Sequence, residues 1–273
     1  MAFRRVSLAW LRPPKSSPGG VMSLADHLRE LRYRLIVSVL AVLAAGTSAA
    51  IWYDQLYQVM LRPYLAAVEL LVASNPNLTP TTVITGVTSP LALALKVCAV
   101  AGLVLASPIW LYQLWAFIVP ALLAKEKKLA LAFLGAAIPL FGLGVVVGYY
   151  ILPQGIAVLL AFTPSSVPIT NLIDVAQFLD LTLRLMVVFG LGFLLPVVVV
   201  GLNLMGVVSA KQLARARLYV LFGTFVFGAA ATPSSDPVSM LALALPMALL
   251  YLGAEAIAHV HDRRKKLATA GAG

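Results

Sequence analysis

The side chains best equipped for chemistry in this chain are a few carboxylates set beside cations. Glu126 stands between Lys125 and Lys127-Lys128, at the end of SPIWLYQLWAFIVPALLAKEKK (residues 107–128). There an apolar run carrying Trp110, Tyr112, Trp115 and Phe117 gives way to lysines. Glu30 lies in HLRELRYRL (residues 27–35), two positions before Arg32. Asp180 and Arg184 are four apart in an apolar stretch, so on a helix they share a face and are expected to neutralise each other. Ionisable groups inside apolar runs are functional candidates by default. Such groups offer ion pairs and charge-assisted hydrogen bonds rather than bond-making catalysis. The chain has no phosphate loop of the G-x-x-x-x-G-K-[ST] type, no HExxH, no GxSxG and no His/Asp pair deep in an apolar run. Neither a metal site nor a cofactor is expected, and the chain does not read as an enzyme. The lone Cys98 excludes an intrachain disulfide.

The elements that position these groups follow from composition. Of 273 residues, 61% are hydrophobic and 11% charged, with mean hydropathy +0.96, too few charges to cover a water-soluble domain of this size. The apolar runs are too long for barrel strands, so the expected fold is an all-α integral membrane protein. Six spans fit, at about 35–52, 90–117, 129–152, 176–202, 218–231 and 238–257. The net charge is +10, but every basic residue except Arg62, Lys96 and Arg184 falls in four clusters: before the first span, around 125–128, at 211–217 and at 263–266. Alternate connections are nearly free of cations. That is positive-inside asymmetry, which places both termini in the cytoplasm and argues against nucleic acid as a partner.

Residues 1–22, rich in proline and glycine, read as a disordered cytoplasmic tail, residues 23–262 as the membrane domain, and 263–273 as a basic cytoplasmic tail. Leu24, Leu28, Leu31 and Leu35 recur at helical spacing, so an amphipathic helix is expected to run along the interface before the first span turns inward. Lys96 can snorkel outward and is expected to have a structural role, and His27, His259 and His261 are expected to be bystanders. Pro108, Pro139, Pro196 and Pro246 are expected to kink their spans into a curved wall. The fifth span, Leu218 to Ala231, would measure only roughly 21 Å against about 30 Å of hydrocarbon. Either the bilayer thins around it, or a partner covers it, or Arg215 and Arg217 snorkel and the helix simply extends.

The run S-P-x-x-x-Y-Q-x-W-x-F-I-x-P-x-L-x-x-x-E-[KR], met in full from Ser107, resembles the pattern of the TatC family, the multispanning core of the twin-arginine protein translocase. H-L-x-E-L-R-x-R-L at 27–35 is a second such motif. Pro63, T-S-P-L at 88–91, F-x-x-P at 193–196, M-G at 205–206 and A-T-P-S-S-D at 231–236 follow in family order. The resemblance implies a concave, glove-like wall of six kinked helices in the bacterial cytoplasmic membrane. It also implies binding of the twin-arginine signal peptides of folded precursors, driven export by the proton-motive force, oligomers within a receptor complex, and the single-span partners TatA and TatB.

By that resemblance Glu126, Glu30, Arg32, Phe117 and Lys125 would contact the signal peptide. Pro63, Leu218, Phe222, Met240, Asp236 and Glu255 would serve partner contacts or structure. Two adjacent arginines need two acceptors outside the hydrocarbon, and a carboxylate matches the planar guanidinium fork. The chain departs from the family at Leu194, where F-E-x-P is common, and at Leu252, where a Glu is common; Glu255, three residues on, is expected to substitute. Met240 replaces a residue that is often polar. The rival readings are a small-solute transporter, which needs polar groups gathered at mid-membrane, and a permease subunit with a coupling helix at Ser209 to Arg217.

Overall fold

The computed structural model describes residues 24–74, 81–118, 127–160, 172–231 and 237–270. Helices dominate: α1 (Leu24–Ala49), a 3-10 turn (Ala50–Trp52), α2 (Tyr53–Ser74), α3 (Ser89–Leu105), α4 (Ser107–Ile118), α5 (Lys127–Leu160), α6 (Val175–Gly192), α7 (Leu195–Leu204), α8 (Ala210–Ala231) and α9 (Pro237–Ala270). Beside the expected helices there is one short pair of parallel strands, β1 (Thr81–Val83) and β2 (Leu172–Asp174), with Val83 opposite Asp174. Among the described residues five segments are long and apolar enough to cross a bilayer: Leu24–Ala66, Leu131–Ile151, Val175–Leu204, Ala210–Ala230 and Leu243–Leu267. The α3–α4 pair, bent by 61°, makes a sixth when counted as one broken span.

Three elements differ from the sequence reading, and a fourth takes one of its alternatives. No break separates the amphipathic leucines from the first span, because α1 runs unbroken from Leu24 to Ala49. No proline or glycine lies between Leu24 and Ala45 to end a helix there. The expected outside loop after Tyr53 is helical for 22 residues, with Pro63 inside α2. Helix α8 begins at Ala210 and is 22 residues long, about 33 Å of helix, so of the alternatives for the fifth span it takes the extended one. Helix α9 runs on to Ala270, through the expected basic tail.

Prolines act unequally. Pro108 follows the α3–α4 break, and Pro196 sits in the first turn of α7, just after the break at Phe193-Leu194. Those are positions where a missing N–H costs no helical bond. Pro246, by contrast, lies inside α9. Helix α7 ends where Gly206 adopts φ 75°, a left-handed conformation that favours glycine, while the N–H groups of Val207 and Val208 both reach back to the Leu202 carbonyl. Ser209 and Gln212 then open α8 as a capping box, Gln212 Oε1 accepting from the Ser209 N–H at 2.8 Å and Ser209 Oγ accepting from the Gln212 N–H at 3.3 Å.

The chain divides into two compact units. The first comprises residues up to Ile51 with Cys98–Ile138; here α1 packs on α4. Leu111, Trp115, Ala116 and Phe133 form its core, with the Trp115 and Phe133 rings stacked at 4.2 Å. A Cβ on Gly102 would fall 2.6 Å from the Gly46 nitrogen, so only glycine permits that backbone approach. The second unit comprises Trp52–Val97 with Pro139–Gly273. Along α6, Val175, Phe178, Leu179, Thr182, Leu183, Met186 and Phe189 make a buried stripe at helical spacing. Tyr64 of α2 meets Phe178 edge-on at 5.2 Å, and Gly144 of α5 lies against the Phe189 carbonyl. Between membrane helices lipid is as apolar as leucine, so this close packing of small against large residues supplies the cohesion.

Helices α8 and α9 form an antiparallel hairpin. Its rungs are Gly228 against Met240, Arg217 on Glu255, and the Ala210 N–H on Asp262. Leu213, Ala210 and Ala258 pack within it. Large apolar side chains stay exposed along α1 (Leu35, Val39, Leu40, Leu43) and α8 (Leu218, Tyr219, Phe222, Val226), as a lipid-facing surface requires.

Candidate functional site

In the first unit, the start of α1 holds a polar cluster against α4. Glu30 is 5% exposed. Arg34, one turn on, donates to its Oε1 through Nε at 2.8 Å and Nη2 at 2.5 Å. The remaining guanidinium nitrogen, Nη1, donates to Gln113 Oε1 of α4 at 3.1 Å. Both Arg34 donors converge on one carboxylate oxygen. The other, Oε2, is buried and has no partner among the described residues. An ionised carboxylate accepts on both oxygens, so Glu30 keeps unused acceptor capacity in a desolvated place. Next to it the His27 imidazole stacks on the Phe117 ring, with centroids 4.5 Å apart and planes 14° apart. Arg32 is exposed and does not pair with Glu30, while Arg29 pairs with Asp26 at 3.3 Å on the surface.

Of the expected peptide-contacting residues, Glu30 and Phe117 thus belong to one cluster. Arg32 points elsewhere, and Glu126 and Lys125 lie outside the described residues. The sequence reading named neither the Arg34 nor the Gln113 contact, and it took His27 for a bystander. Arg34 was findable, because Glu30 and Arg34 stand at i,i+4 with the acid on the N-terminal side. Gln113 carries no such signal, since its partner is 79 residues away.

In the second unit the expected Asp180–Arg184 pair is not formed. Asp180 Oδ1 accepts instead from Lys96 Nζ of α3 at 2.5 Å. Lys96 thus holds an ion pair with its side chain half-exposed, and Arg184 is exposed without an ion pair among the described residues. Helical spacing made Arg184 available, but the long lysine stem from α3 reaches Asp180 at the wall of a small cavity. That cavity, about 230 Å³, is lined by Thr85, Ser89, Lys96, Asp174, Gln177 and Asp180 among others. The β1–β2 register brings Asp174 beside Thr85, whose hydroxyl donates to Oδ2, while Oδ1 caps α6 by accepting from the Ala176 N–H at 2.9 Å. The Thr85 hydrogen bond, followed by the backbone donors of the α6 cap, holds the Asp174 carboxyl below the usual aspartate range.

Glu255, expected as a substitute for a family carboxylate, is 3% exposed and fully engaged. Arg217 of α8 grips both its oxygens, Nε to Oε2 at 2.9 Å and Nη2 to Oε1 at 2.6 Å. Tyr251, one turn earlier, donates its hydroxyl to the Leu213 carbonyl at 3.0 Å. Asp262 closes the hairpin end, accepting from the Ala210 N–H at 2.8 Å and from Asn203 Nδ2 at 3.1 Å. Pro63 is buried in α2. Leu218 and Phe222 are exposed on α8 and Met240 is half-buried, whereas Asp236 lies outside the described residues. Among the described residues no group of His, Cys, Asp or Glu could hold a metal ion.

Comparison with known proteins agrees with this helix order. The family model described as Sec-independent protein translocase protein (TatC) matches residues 26–246. The TatC protein of Frankia casuarinae is 37% identical over 246 residues, 89% of this chain and 67% of that one. The TatC protein of Aquifex aeolicus is 34% identical over 249 residues, covering 90% and 98% of the two chains. Two crystal structures of a twin-arginine translocase receptor TatC superpose with TM-scores of 0.71 and 0.70. Identities are 33% and 32%, over 85% and 86% of this chain and nearly all of theirs. The relatives are translocase components and not enzymes, and with its run of membrane-length helices this chain belongs to the TatC family of Sec-independent protein translocase proteins.

Proposed function

We propose that the α1–α4 cluster is part of the surface that binds the paired arginines of signal peptides on folded precursors. The observation that carries this reading is the buried, unpartnered Oε2 of Glu30, beside an Arg34 whose donors are already committed. A peptide guanidinium offered to that oxygen would gain a charge-assisted hydrogen bond of about 1.5–3 kcal/mol. Glu126, nine positions beyond Phe117, supplies the second acceptor, with Lys125 and Arg32 setting the local field and the His27–Phe117 stack flanking the contact. Lysine in the peptide cannot reproduce the two-pronged geometry of arginine, so the site discriminates between them.

In this reading both termini and the Glu30 end face the cytoplasm of a bacterial inner membrane, in line with the basic clusters. The exposed apolar face of α8, with Leu218 and Phe222, receives the single-span subunits TatA and TatB; Met240, Asp236 and Pro63 support that contact or the outer end of the fold. Glu255 is withdrawn from this set as a contact, because Arg217 occupies both its oxygens. Energy comes from the proton-motive force, about 2.3 kcal/mol per charge per 100 mV. With Leu194 buried at the site of the family's common Glu, no proton carrier is assigned there.

The test is photocrosslinking of membranes carrying this protein, with a photoreactive residue beside Glu126, to precursors bearing Arg-Arg or Lys-Lys. A crosslink with Arg-Arg that is lost with Lys-Lys, with Glu126→Ala and with Glu30→Gln is expected. Equal crosslinking of the two precursors would sink the proposal.

A further inference from the structure

The hairpin of α8 and α9 has a cavity at one end that peptide recognition does not use. It measures about 590 Å³, and its wall includes Ser209, Lys211, His259, Asp262, Arg263 and Lys266. The cations come from both helices. Lys211 lies in the first turn of α8, and Arg263 and Lys266 in the last turns of α9, which the antiparallel pairing brings to the same end. Asp262, the one carboxylate on this wall, is turned inward onto the Ala210 N–H and Asn203. It therefore neutralises little of the charge facing the cavity. Lys211 and Arg263 are exposed and form no ion pair among the described residues.

The surroundings set what such a cavity would hold. Helices α8 and α9 are both of membrane-crossing length and apolarity. Within two turns of the cations, on the side towards the hairpin's middle, lie the exposed Leu218 of α8 and Ile257 of α9, and exposed Val260 lines the cavity itself. A cluster of cations with an apolar flank one or two turns below it matches a molecule with an anionic phosphate and acyl chains. Basic pockets between membrane helices near the interface take such headgroups. A free phosphate would use the cations and leave the apolar flank idle.

We propose that this cavity binds the phosphodiester headgroup of an anionic glycerophospholipid. Lys211 and Arg263 contact the phosphate, Lys266 and His259 complete the wall, and the acyl chains lie along α8 and α9. The lipid thereby ties the start of α8 to the end of α9, where Asp262 already joins them through the Ala210 N–H. The chemistry is that of a phosphate group, and the two possible sources, a lipid and free inorganic phosphate, separate in the test.

The experiment is native mass spectrometry of the full-length protein in detergent, titrated with phosphatidylglycerol or with phosphatidylcholine of the same chain length. Phosphatidylglycerol is expected to bind the unmodified protein more tightly. Arg263→Gln alone should weaken it about fivefold and Lys211→Gln/Arg263→Gln about thirtyfold, at the usual contribution of a basic residue near a lipid surface. Because these side chains are exposed and the α8 cap is untouched, the melting temperature without lipid should be unchanged. Arg264→Gln/Lys265→Gln removes the same charge outside the cavity and should leave binding as it was. Equal loss in both double variants would reduce the effect to general surface charge and overturn the site. So would equal affinity for phosphatidylcholine. Full competition by millimolar inorganic phosphate would make it a free-anion site and overturn the lipid assignment.

Discussion

Glu30 in the first unit and Glu255 in the second are both buried carboxylates gripped by an arginine, yet their hydrogen bonding differs. Arg34 brings Nε and Nη2 to one oxygen of Glu30 and sends Nη1 to Gln113, leaving Oε2 unpartnered. Arg217 matches its fork to Glu255, one nitrogen per oxygen. Backbone geometry decides which occurs. An arginine one turn along the same helix approaches its acid from the side, whereas one on a facing helix meets it head-on. The local pair stays open to a third group; the pair between helices is closed and serves cohesion. An acid in a membrane protein is thus better judged by how many of its oxygens are satisfied than by its burial.

The comparison can be broken most sharply at Arg217. Arg217→Leu strands a 3%-exposed carboxylate and should lower the stability of the protein clearly, although Arg217 itself is 51% exposed. Thermal unfolding in detergent reads this, and Arg217→Leu/Glu255→Leu should recover most of the loss. If the double variant is as unstable as the single, the pair is not what Arg217 contributes. Glu30→Ala should cost less, about 2 kcal/mol, since Arg34 keeps Gln113 as an acceptor. A larger loss than at Arg217 would invert the comparison.

The third charge pair sharpens it further. Lys96→Met should cost about 1 kcal/mol or less, because both partners are partly exposed at the wall of a small cavity. Arg184→Met should cost nothing measurable; a cost equal to that of Lys96→Met would return Asp180 to Arg184.

The smallest effect is expected at Asp174. Its carboxyl is held low in the folded protein, so its contribution is present above the unfolded aspartate range and disappears as pH falls through the depressed folded value. Thr85→Val removes the leading cause of that depression. The variant should be slightly less stable than the parent at neutral pH, and the two unfolding curves should converge in acid. A gap that persists in acid would assign the effect to packing instead.

Much of this was legible in the chain. The six apolar stretches follow from run length, because a bilayer demands satisfied backbone over a fixed distance. The family resemblance rested on side chains in motifs that stay close in sequence, such as Ser107 to Lys128. The helix breaks by Pro108 and Pro196 were visible because proline acts on its own turn. Pro246 was read the same way and left α9 in one piece, because neighbouring helices and local adjustment can re-satisfy what a proline frees in a membrane helix.

What the sequence determined by itself is therefore local and periodic: a membrane-spanning helical protein, the approximate place of its spans, and the motif residues Glu30 and Phe117. Only the tertiary structure decided which charges meet. Asp180 chose Lys96 of α3 over Arg184 of its own helix, and Glu255 met Arg217 across 38 residues, while Arg34 divided itself between Glu30 and Gln113. Side-chain charges reach several ångströms, so helical spacing proposes partners one turn away. The packing of a second helix can bring another partner within hydrogen-bond distance, and sequence spacing carries no sign of it.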